Sequence, residues 1–298
     1  MISFNKIGKF LRAGRLHTLP TSLFPAAVGY LFAEESGSSF GILCFVSMAI
    51  IVLHVACNLL NTYYDFKYKI DDADNCHDET IVKELLHEDE VINGAWLCLA
   101  FSMMFFGSGV VMIRSAHLIP YVLFFKTIFI GFNYSTGLKF KHNCLGEFVT
   151  YITFGPSVAT FVFSCLSGGK FSGEVIVASS SLGIAVAAVL FARNVRSAGH
   201  DLKCGVRTVA NQLGLQNSLN LYSLLLLMPY VQVTGFAILY QHLELILIWI
   251  LAPVTLYFAY YPHRSGVTDG ISALWDRTVV NFHLFASYYL CLLYYVLD

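Results

Sequence analysis

Two polar clusters interrupt an otherwise apolar sequence, and they share one spacing. Each combines an Asn, a second polar residue and an Asp: Asn58, Asn61 and Asp65 in the first, and Asn194, Ser197 and Asp201 in the second. Positions i, i+3 and i+7 lie on one face of an α-helix, so each cluster presents its polar side chains in one direction. Such groups are costly inside a membrane unless they face a cavity or bind something. The matched spacing predicts one polar site assembled from two halves.

The first cluster continues into an acidic segment that suits magnesium–diphosphate chemistry. Asp71 follows Asp65 by six positions, too far for one helical face, so it must return from a bend. Mg²⁺ takes carboxylate and phosphate oxygens, and basic side chains neutralise the remaining phosphate charge. The nearby basic candidates are Lys67, Lys139, Lys141, Arg196, Lys203 and Arg207. For this cluster alone, a solvated acidic loop is the alternative, and for the second cluster it is pairing with another helix.

Three further residues could belong to such a site, each with a plainer alternative. Tyr134 could hydrogen-bond a phosphate or line a pocket, or it could be an interfacial tyrosine. Arg15 precedes the first apolar run and could instead be a juxtamembrane anchor. His54, inside an apolar run, is interpreted as a hydrogen-bonded packing residue rather than a ligand.

The elements that must position these residues are membrane helices. Of the 298 residues, 57% are hydrophobic and only 12% are charged, about half the charged share of a soluble domain. Apolar runs of near-spanning length predict an all-α protein of about nine transmembrane helices, in a single domain over 1–298. The runs lie at about 16–33, 40–64, 91–113, 117–136, 145–167, 174–195, 216–240, 243–262 and 279–297.

Charge bias predicts the orientation of these spans. With a cytosolic N-terminus, fifteen of the 18 Lys and Arg fall in cytosolic segments, two lie opposite and Lys126 lies mid-span. This excess is typical of the cytosolic side of membrane proteins, and it places both polar clusters on that side.

Other features exclude several classes of protein. The formal net charge of −1 argues against a nucleic-acid partner, and the eight Cys have no spacing typical of a zinc site or a disulfide framework. Residues 1–15 are polar and basic, so we expect no cleavable signal peptide.

The chain resembles the UbiA superfamily of intramembrane aromatic prenyltransferases over nearly its whole length. Asn61, Asp65 and Asp71 match the first family signature, and 197–208 match the second in outline. The string 58–66 is the most specific and is most similar to the animal menaquinone (vitamin K) synthase branch. Residues 133–141 and 153–156 also fit.

The resemblance implies a bundle of nine helices around a central cavity with a cytosolic cap. It also implies a Mg²⁺-dependent transfer of a prenyl group from its diphosphate to an electron-rich quinol. It implies that Asp65, Asp71 and Asp201 hold Mg²⁺, and that Tyr134 lies near the reacting carbon. It also implies that Asn61, Lys141 and Arg196 surround the diphosphate. We add as candidates for substrate binding Arg15, Asn58, Lys139, Asn194, Ser197 and Lys203.

Three positions depart from the family pattern. Ser197 stands where the family has the first Asp of its second motif, Glu79 stands where the animal branch has an Arg, and Lys69 replaces a Gly. The first two changes put metal occupancy and catalytic rate in question.

The leading hypothesis is an endoplasmic-reticulum or Golgi membrane enzyme with its site toward the cytosol, using geranylgeranyl diphosphate and a naphthoquinol acceptor. A second hypothesis, prompted by Ser197 and Glu79, is a catalytically impaired protein that binds an isoprenoid or sterol and regulates a partner membrane protein. A third, a secondary transporter, fits the number of spans, but acids grouped at one face favour a capped site.

The first prediction tests this topology. If residues 65–90 face the cytosol, Cys76 will react with an impermeant maleimide once the plasma membrane alone is permeabilised. Labelling that appears only after the organelle lumen is opened would reverse the orientation.

Overall fold

The computed structural model is a helical bundle and describes residues 4–33, 40–71, 78–113, 117–264 and 267–297. These residues contain no β-strand, only an isolated bridge between Asn143 and Arg207. Helices α1 to α14 are Phe4–Ala13, Pro20–Leu31, Phe40–Lys67, Glu79–Val82, Glu88–Ile113, Ile119–Ser135, Gly146–Ile152, Val158–Leu166, Gly173–Lys203, Val209–Leu213, Leu215–Leu239, Ala252–Arg264, Val267–Ser272 and Leu274–Leu297. Short 3₁₀ helices are Leu16–Thr18, Phe140–His142 and Leu243–Leu251.

Seven helical segments in the described ranges are long and apolar enough to cross a membrane. They correspond to seven of the predicted spans and confirm a multi-pass membrane protein. The other two predicted spans correspond to α2 and α6, which are only 12 and 17 residues long. Nine crossings, and the cytosolic position of the polar end, therefore stay predictions.

Helix α9 forms the centre of the bundle. It contacts α2, α7, α11 and α14, and most of its apolar part is buried. Its second polar cluster therefore lies among other helices rather than against lipid. Helices α3 and α5 pack along each other at one side, so the first cluster is held by a separate helix pair.

Small residues allow the helices around the site to approach closely. A π-helical turn, Thr153–Ser157, joins α7 to α8, and there Gly155 lies against Gly183 of α9. A Cβ added to Gly29 of α2 would lie 2.2 Å from the carbonyl oxygen of Ala159 and 3.0 Å from the backbone nitrogen of Phe163. Membrane helices use small residues at such contacts because apolar side chains gain little by leaving lipid.

The first polar cluster ends in a Schellman motif. The N–H of Ile70 donates to the carbonyl of Asp65 at 2.8 Å, and the N–H of Lys69 donates to that of Phe66 at 3.0 Å. Lys69 has φ 56°, a left-handed conformation that favours glycine. The N–H of Asp71 also reaches the carbonyl of Asp65, at 3.3 Å. The predicted return of Asp71 from a bend is thereby confirmed.

The second polar cluster ends in the same way. The N–H of Val206 donates to the carbonyl of Asp201 at 2.8 Å, and that of Gly205 donates to Leu202 at 3.1 Å. Gly205 has φ 74°, so here the left-handed position holds the residue that suits it. Both carboxylates thus occupy the same place in a helix-terminal motif, and the halves match in backbone as well as in sequence spacing.

Our second prediction concerns the contact between α2 and α8. Gly29→Ala should lower the unfolding temperature in detergent, because its methyl group meets rigid backbone atoms; overpacking of this kind costs about 1–3 kcal/mol. Gly107→Ala is the matched control, since Gly107 is exposed on α5 with nothing within 4 Å of an added Cβ. Equal melting temperatures for the two variants would contradict the close approach.

Candidate active site

A cavity of about 590 Å³ opens between the helices at the polar end and runs into the apolar bundle. Its inner wall is aliphatic and aromatic, whereas charged groups surround its mouth. The charged residues that line it are Arg12, Arg15, Asp78, Glu79, Arg193 and Arg196. Four guanidinium groups against two carboxylates make this mouth suited to an anion.

Arg15 is fixed at the mouth by a hydrogen-bonded turn. Its backbone is left-handed, with φ 50°, and its carbonyl accepts from Thr18 Oγ1 at 2.8 Å. The amide of Asn58 donates to Thr18 Oγ1 at 3.2 Å and to the carbonyl of Gly14 at 2.9 Å. Asn58 therefore lines the cavity, as predicted for a substrate-binding residue, but its amide nitrogen already holds the Arg15 turn.

His54 completes this network from below. Because Thr18 Oγ1 donates to Arg15, it accepts from His54 Nε2 at 3.3 Å, and His54 Nδ1 accepts from Ser22 Oγ at 2.6 Å. Both ring nitrogens are engaged, which confirms the interpretation of His54 as a hydrogen-bonded packing residue.

The guanidinium of Arg15 contacts one carboxylate and one amide. One nitrogen lies 3.2 Å from Asp78 Oδ2, and another lies 3.2 Å from the amide of Asn61. Asp78 also accepts from Thr62 Oγ1 at 2.7 Å and from the N–H of Thr80 at 2.9 Å. Burial opposes ionisation of Asp78, but Arg15 and these hydrogen bonds together hold its pKa below the usual value. Asp78 is thus an ionised anchor between α3, α4 and the Arg15 turn.

Asp65 does not face the cavity directly but pairs with Lys141. The Nζ atom of Lys141 lies 2.6 and 2.7 Å from the two carboxylate oxygens of Asp65. The side chain of Lys141 is 13% exposed, and that of Asp65 is 1% exposed. Burial lowers the pKa of Lys141, and the charge of Asp65 opposes that shift. The amide of Asn61 lies within 3.3 Å of Asp65 and 2.8 Å of Ser135. The first half-site is therefore a buried, charge-neutral network.

The polar side chains of the second half-site are hydrogen-bonded to neighbouring residues. Ser197 Oγ is 2.5 Å from Asp201 Oδ2, to which it donates. Asn194 donates to Glu147 of α7 at 2.8 Å. Ser197 thus donates a hydrogen bond to Asp201 and brings no second negative charge beside it.

The predicted site residues divide into two groups. Those that line the cavity are Arg15, Asn58, Asn61, Tyr134 and Arg196. Those that do not line it are Asp65, Asp71, Lys139, Lys141, Asn194, Ser197, Asp201 and Lys203. Lys139 lies 4.0 Å above the ring of Tyr68, and Lys203 is exposed at the end of α9. The structure brings neither of these two lysines into the cavity.

The predicted metal ligands are close to the site but do not form a ready-made centre. In the part of the chain that the structure describes, no three His, Cys, Asp or Glu side chains lie close enough to hold one metal ion. Asp72 and Asp74, further acids of the same segment, lie outside the described residues. The assignment of Asp65, Asp71 and Asp201 to Mg²⁺ stays a prediction.

Arg193 is a site residue that the sequence reasoning missed. It lines the cavity together with Arg15 and Arg196. The sequence contains a usable signal, because Arg193 precedes Ser197 by four positions and Asp201 by eight and so shares their helical face. Its charge alone indicates only topology.

The ends of the two half-sites are tied together. His200 Nε2 donates to the carbonyl of Ile70 at 2.6 Å, so α9 holds the turn that follows Asp65. The loop after α6 joins the same assembly through two backbone hydrogen bonds. The N–H of Cys144 donates to the carbonyl of Arg207 at 3.0 Å, and the N–H of Arg207 donates to the carbonyl of His142 at 3.2 Å. These hydrogen bonds join the turn after α3, the loop after α6 and the end of α9 at the polar end.

Comparison with known proteins decides the family. The sequence profile of the UbiA prenyltransferase family matches residues 22–286. The chain belongs to this family. The UbiA prenyltransferase domain-containing protein 1 of Xenopus tropicalis is 32% identical over 76% of this chain and 66% of its own length. Its Drosophila melanogaster homolog is 31% identical over 85% of this chain and 69% of its own length. The chain thus spans about two thirds of the length of these relatives.

Solved structures share the fold. A UbiA homolog from Archaeoglobus fulgidus, bound to DMAPP and Mg²⁺, superposes with a TM-score of 0.69 at 15% identity and covers 97% of this chain and 99% of its own. A second structure of that homolog, bound to GPP and Mg²⁺, gives a TM-score of 0.66. At this identity the likeness establishes the fold alone.

Our third prediction concerns the buried pair. Asp65→Asn or Lys141→Met alone should lower stability strongly, because each leaves one charge buried without its counter-charge, at a cost of about 3–5 kcal/mol. The double variant should be more stable than the sum of the single effects predicts. Thermal unfolding of all four proteins in one detergent measures this coupling.

Lys83→Met serves as the matched control, because Lys83 pairs with Glu79 at the surface and its side chain is 58% exposed. Such surface pairs contribute about 0–1 kcal/mol. Additive effects of Asp65→Asn and Lys141→Met would mean that the two side chains do not depend on each other.

Proposed function

We propose that this chain transfers a prenyl group, geranylgeranyl by resemblance, from its diphosphate to a naphthoquinol-type acceptor in menaquinone (vitamin K) biosynthesis. The proposal includes Mg²⁺ dependence, a single domain over 1–298, and an endoplasmic-reticulum or Golgi location with the site toward the cytosol. The observation that carries it is the combination of an arginine-lined mouth with a deep apolar cavity. A prenyl diphosphate has this same division into an anionic head and an apolar tail.

The side chains at the mouth support binding of the diphosphate. Arg15, Arg193 and Arg196 line the cavity, and guanidinium groups bind phosphate oxygens with paired donors. Arg15 is already positioned by Asp78 and Asn61, so it needs little rearrangement to act. Fixed cations of this kind stabilise charge that develops on a leaving group.

The reaction follows from these groups. The bond between the prenyl carbon and the diphosphate oxygen breaks, and the diphosphate leaves with the electron pair. The allylic cation is then attacked by an electron-rich ring carbon of the quinol, and the proton on that carbon passes to an oxygen of the departed diphosphate. Tyr134 lines the cavity beside the mouth, where the negative face of its ring would stabilise a cation.

The acidic residues suit a divalent cation. Asp65, Asp71 and Asp201 are buried oxygen donors at the ends of two helices, and the position beside Asp65 already attracts a positive charge, that of Lys141. Asp65, Asp71 and Asp201 would hold Mg²⁺, which would supply positive charge that favours departure of the diphosphate. The Archaeoglobus fulgidus homolog, solved with Mg²⁺ and GPP or DMAPP, supports the use of a divalent cation.

A second candidate function rests on the second half-site. Ser197 replaces a family Asp and is hydrogen-bonded to Asp201, so one negative charge is missing there. A protein with a weakened metal site could instead bind isoprenoid or sterol and regulate a partner membrane protein.

The fourth prediction tests the proposal directly. The purified chain in lipid nanodiscs, given radiolabelled geranylgeranyl diphosphate and a reduced naphthoquinone, should form a prenylated quinol only with Mg²⁺ present. Ser197→Asp should lower the Mg²⁺ concentration at half-maximal rate several-fold, since it adds a carboxylate four positions before Asp201. A gain of about 1.4 kcal/mol in Mg²⁺ binding would correspond to a tenfold change.

Ser197→Asn is the matched control, because it has a similar size without the charge. If Ser197→Asp raises the Mg²⁺ requirement, the site is adapted to serine. Absence of turnover in every form, with prenyl diphosphate still bound, would favour the regulatory function.

A further inference from the structure

Three phenyl rings pack together at the deep end of the cavity. Phe124 and Phe161 line the cavity, and Phe106 lies behind them. The ring centroids of Phe106 and Phe124 are 4.1 Å apart at an interplanar angle of 19°. Those of Phe124 and Phe161 are 5.8 Å apart, and those of Phe106 and Phe161 are 5.7 Å apart. We call these three residues the phenyl floor.

The phenyl floor lies opposite the charged mouth. Phe124 precedes Tyr134 by ten positions on α6, which places it about 15 Å away along the helix axis. Ile50, another lining residue, precedes Asn61 by eleven positions on α3 and lies about as deep. A ligand whose head occupies the arginine-lined mouth therefore points its tail at the phenyl floor.

The floor is built to stay in place. Phe106, Phe124 and Phe161 are 5%, 2% and 3% exposed, and the ring of Tyr121 packs edge-on against Phe106 at 5.6 Å. Helices α5, α6 and α8 each contribute one ring. Tightly packed interiors resist small displacements, so a longer tail cannot enter by moving one side chain aside.

We propose that the phenyl floor sets the upper limit on the length of the prenyl chain that this site accepts. This inference rests on the proposed function, because it assigns the tail of a prenyl diphosphate to the cavity. The limit is steric: chain units beyond the floor would have to displace rings that are packed on three helices. Removing one ring should extend the cavity toward Phe106 and admit a longer chain.

The experiment compares a series of prenyl diphosphates: geranyl, farnesyl, geranylgeranyl and solanesyl. For each protein, the readouts are kcat/KM for each substrate and direct binding of each diphosphate. Phe124→Ala and Phe161→Ala should raise the solanesyl-to-geranyl ratio of kcat/KM by about tenfold or more, the scale of discrimination when an apolar pocket changes size. If the alanine variants fail to fold, Phe124→Leu replaces them, because it keeps an apolar packing side chain. It should change the ratio in the same direction.

Phe125→Ala is the matched control, because Phe125 follows Phe124 on α6 but is 54% exposed. Its ratio should equal that of the wild-type protein. An unchanged ratio in the floor variants, with the wild type active, would overturn the floor as a limit and indicate that the tail leaves between helices. Failure of the wild type to bind any member of the series would overturn the proposed function and the limit together.

Discussion

The structure depends on burying a carboxylate at the end of an apolar bundle. Asp65 is 1% exposed, and such a charge persists in a low-dielectric site only with a partner. Its partner, Lys141, comes from the short helix Phe140–His142. That helix keeps its place because its flanking backbone pairs with Arg207. One buried charge thus makes the first helix pair, the loop after α6 and the end of α9 interdependent.

The two helix ends show how this assembly is arranged. Asp65 and Asp201 accept equivalent backbone hydrogen bonds in matching Schellman motifs, and His200 ties one motif to the other. The ends differ at the left-handed residue, which is Gly205 in one and Lys69 in the other. A left-handed conformation costs a non-glycine residue roughly 1–2 kcal/mol. The departure of Lys69 from the family glycine is therefore a local strain that the tether to α9 helps to offset.

Sequence reasoning reached the helices and the shared faces because both depend on local pattern. Apolar run length marked the seven longest spans, and the i, i+3, i+7 spacing placed each polar cluster on one face. The pairing of Asp65 with Lys141 could not be predicted, because many basic residues lie equally near in the sequence and only tertiary packing selects one. The prediction for α6 was also three residues too long, because apolar composition does not mark where a helix begins or ends. The run 117–136 included His117, Leu118 and Thr136, which lie outside Ile119–Ser135. Arg193 was missed for a different reason: its charge was assigned to topology although its register pointed to the site.

The distribution of charge explains how such a site can serve an anionic substrate. The cations at the mouth line the cavity, whereas Asp65 and Asp201 are buried and do not line it. Asp65 pairs with Lys141, and Asp78 and Asn61 hold the guanidinium of Arg15. Lys141 and Arg15 are therefore in position before a substrate arrives. Preorganised charges require no reorientation when the leaving group develops its charge. At the second half-site Ser197 brings a hydroxyl rather than a second charge to Asp201. On the proposed function, the arginine-lined mouth therefore supplies more of the positive charge that a diphosphate requires.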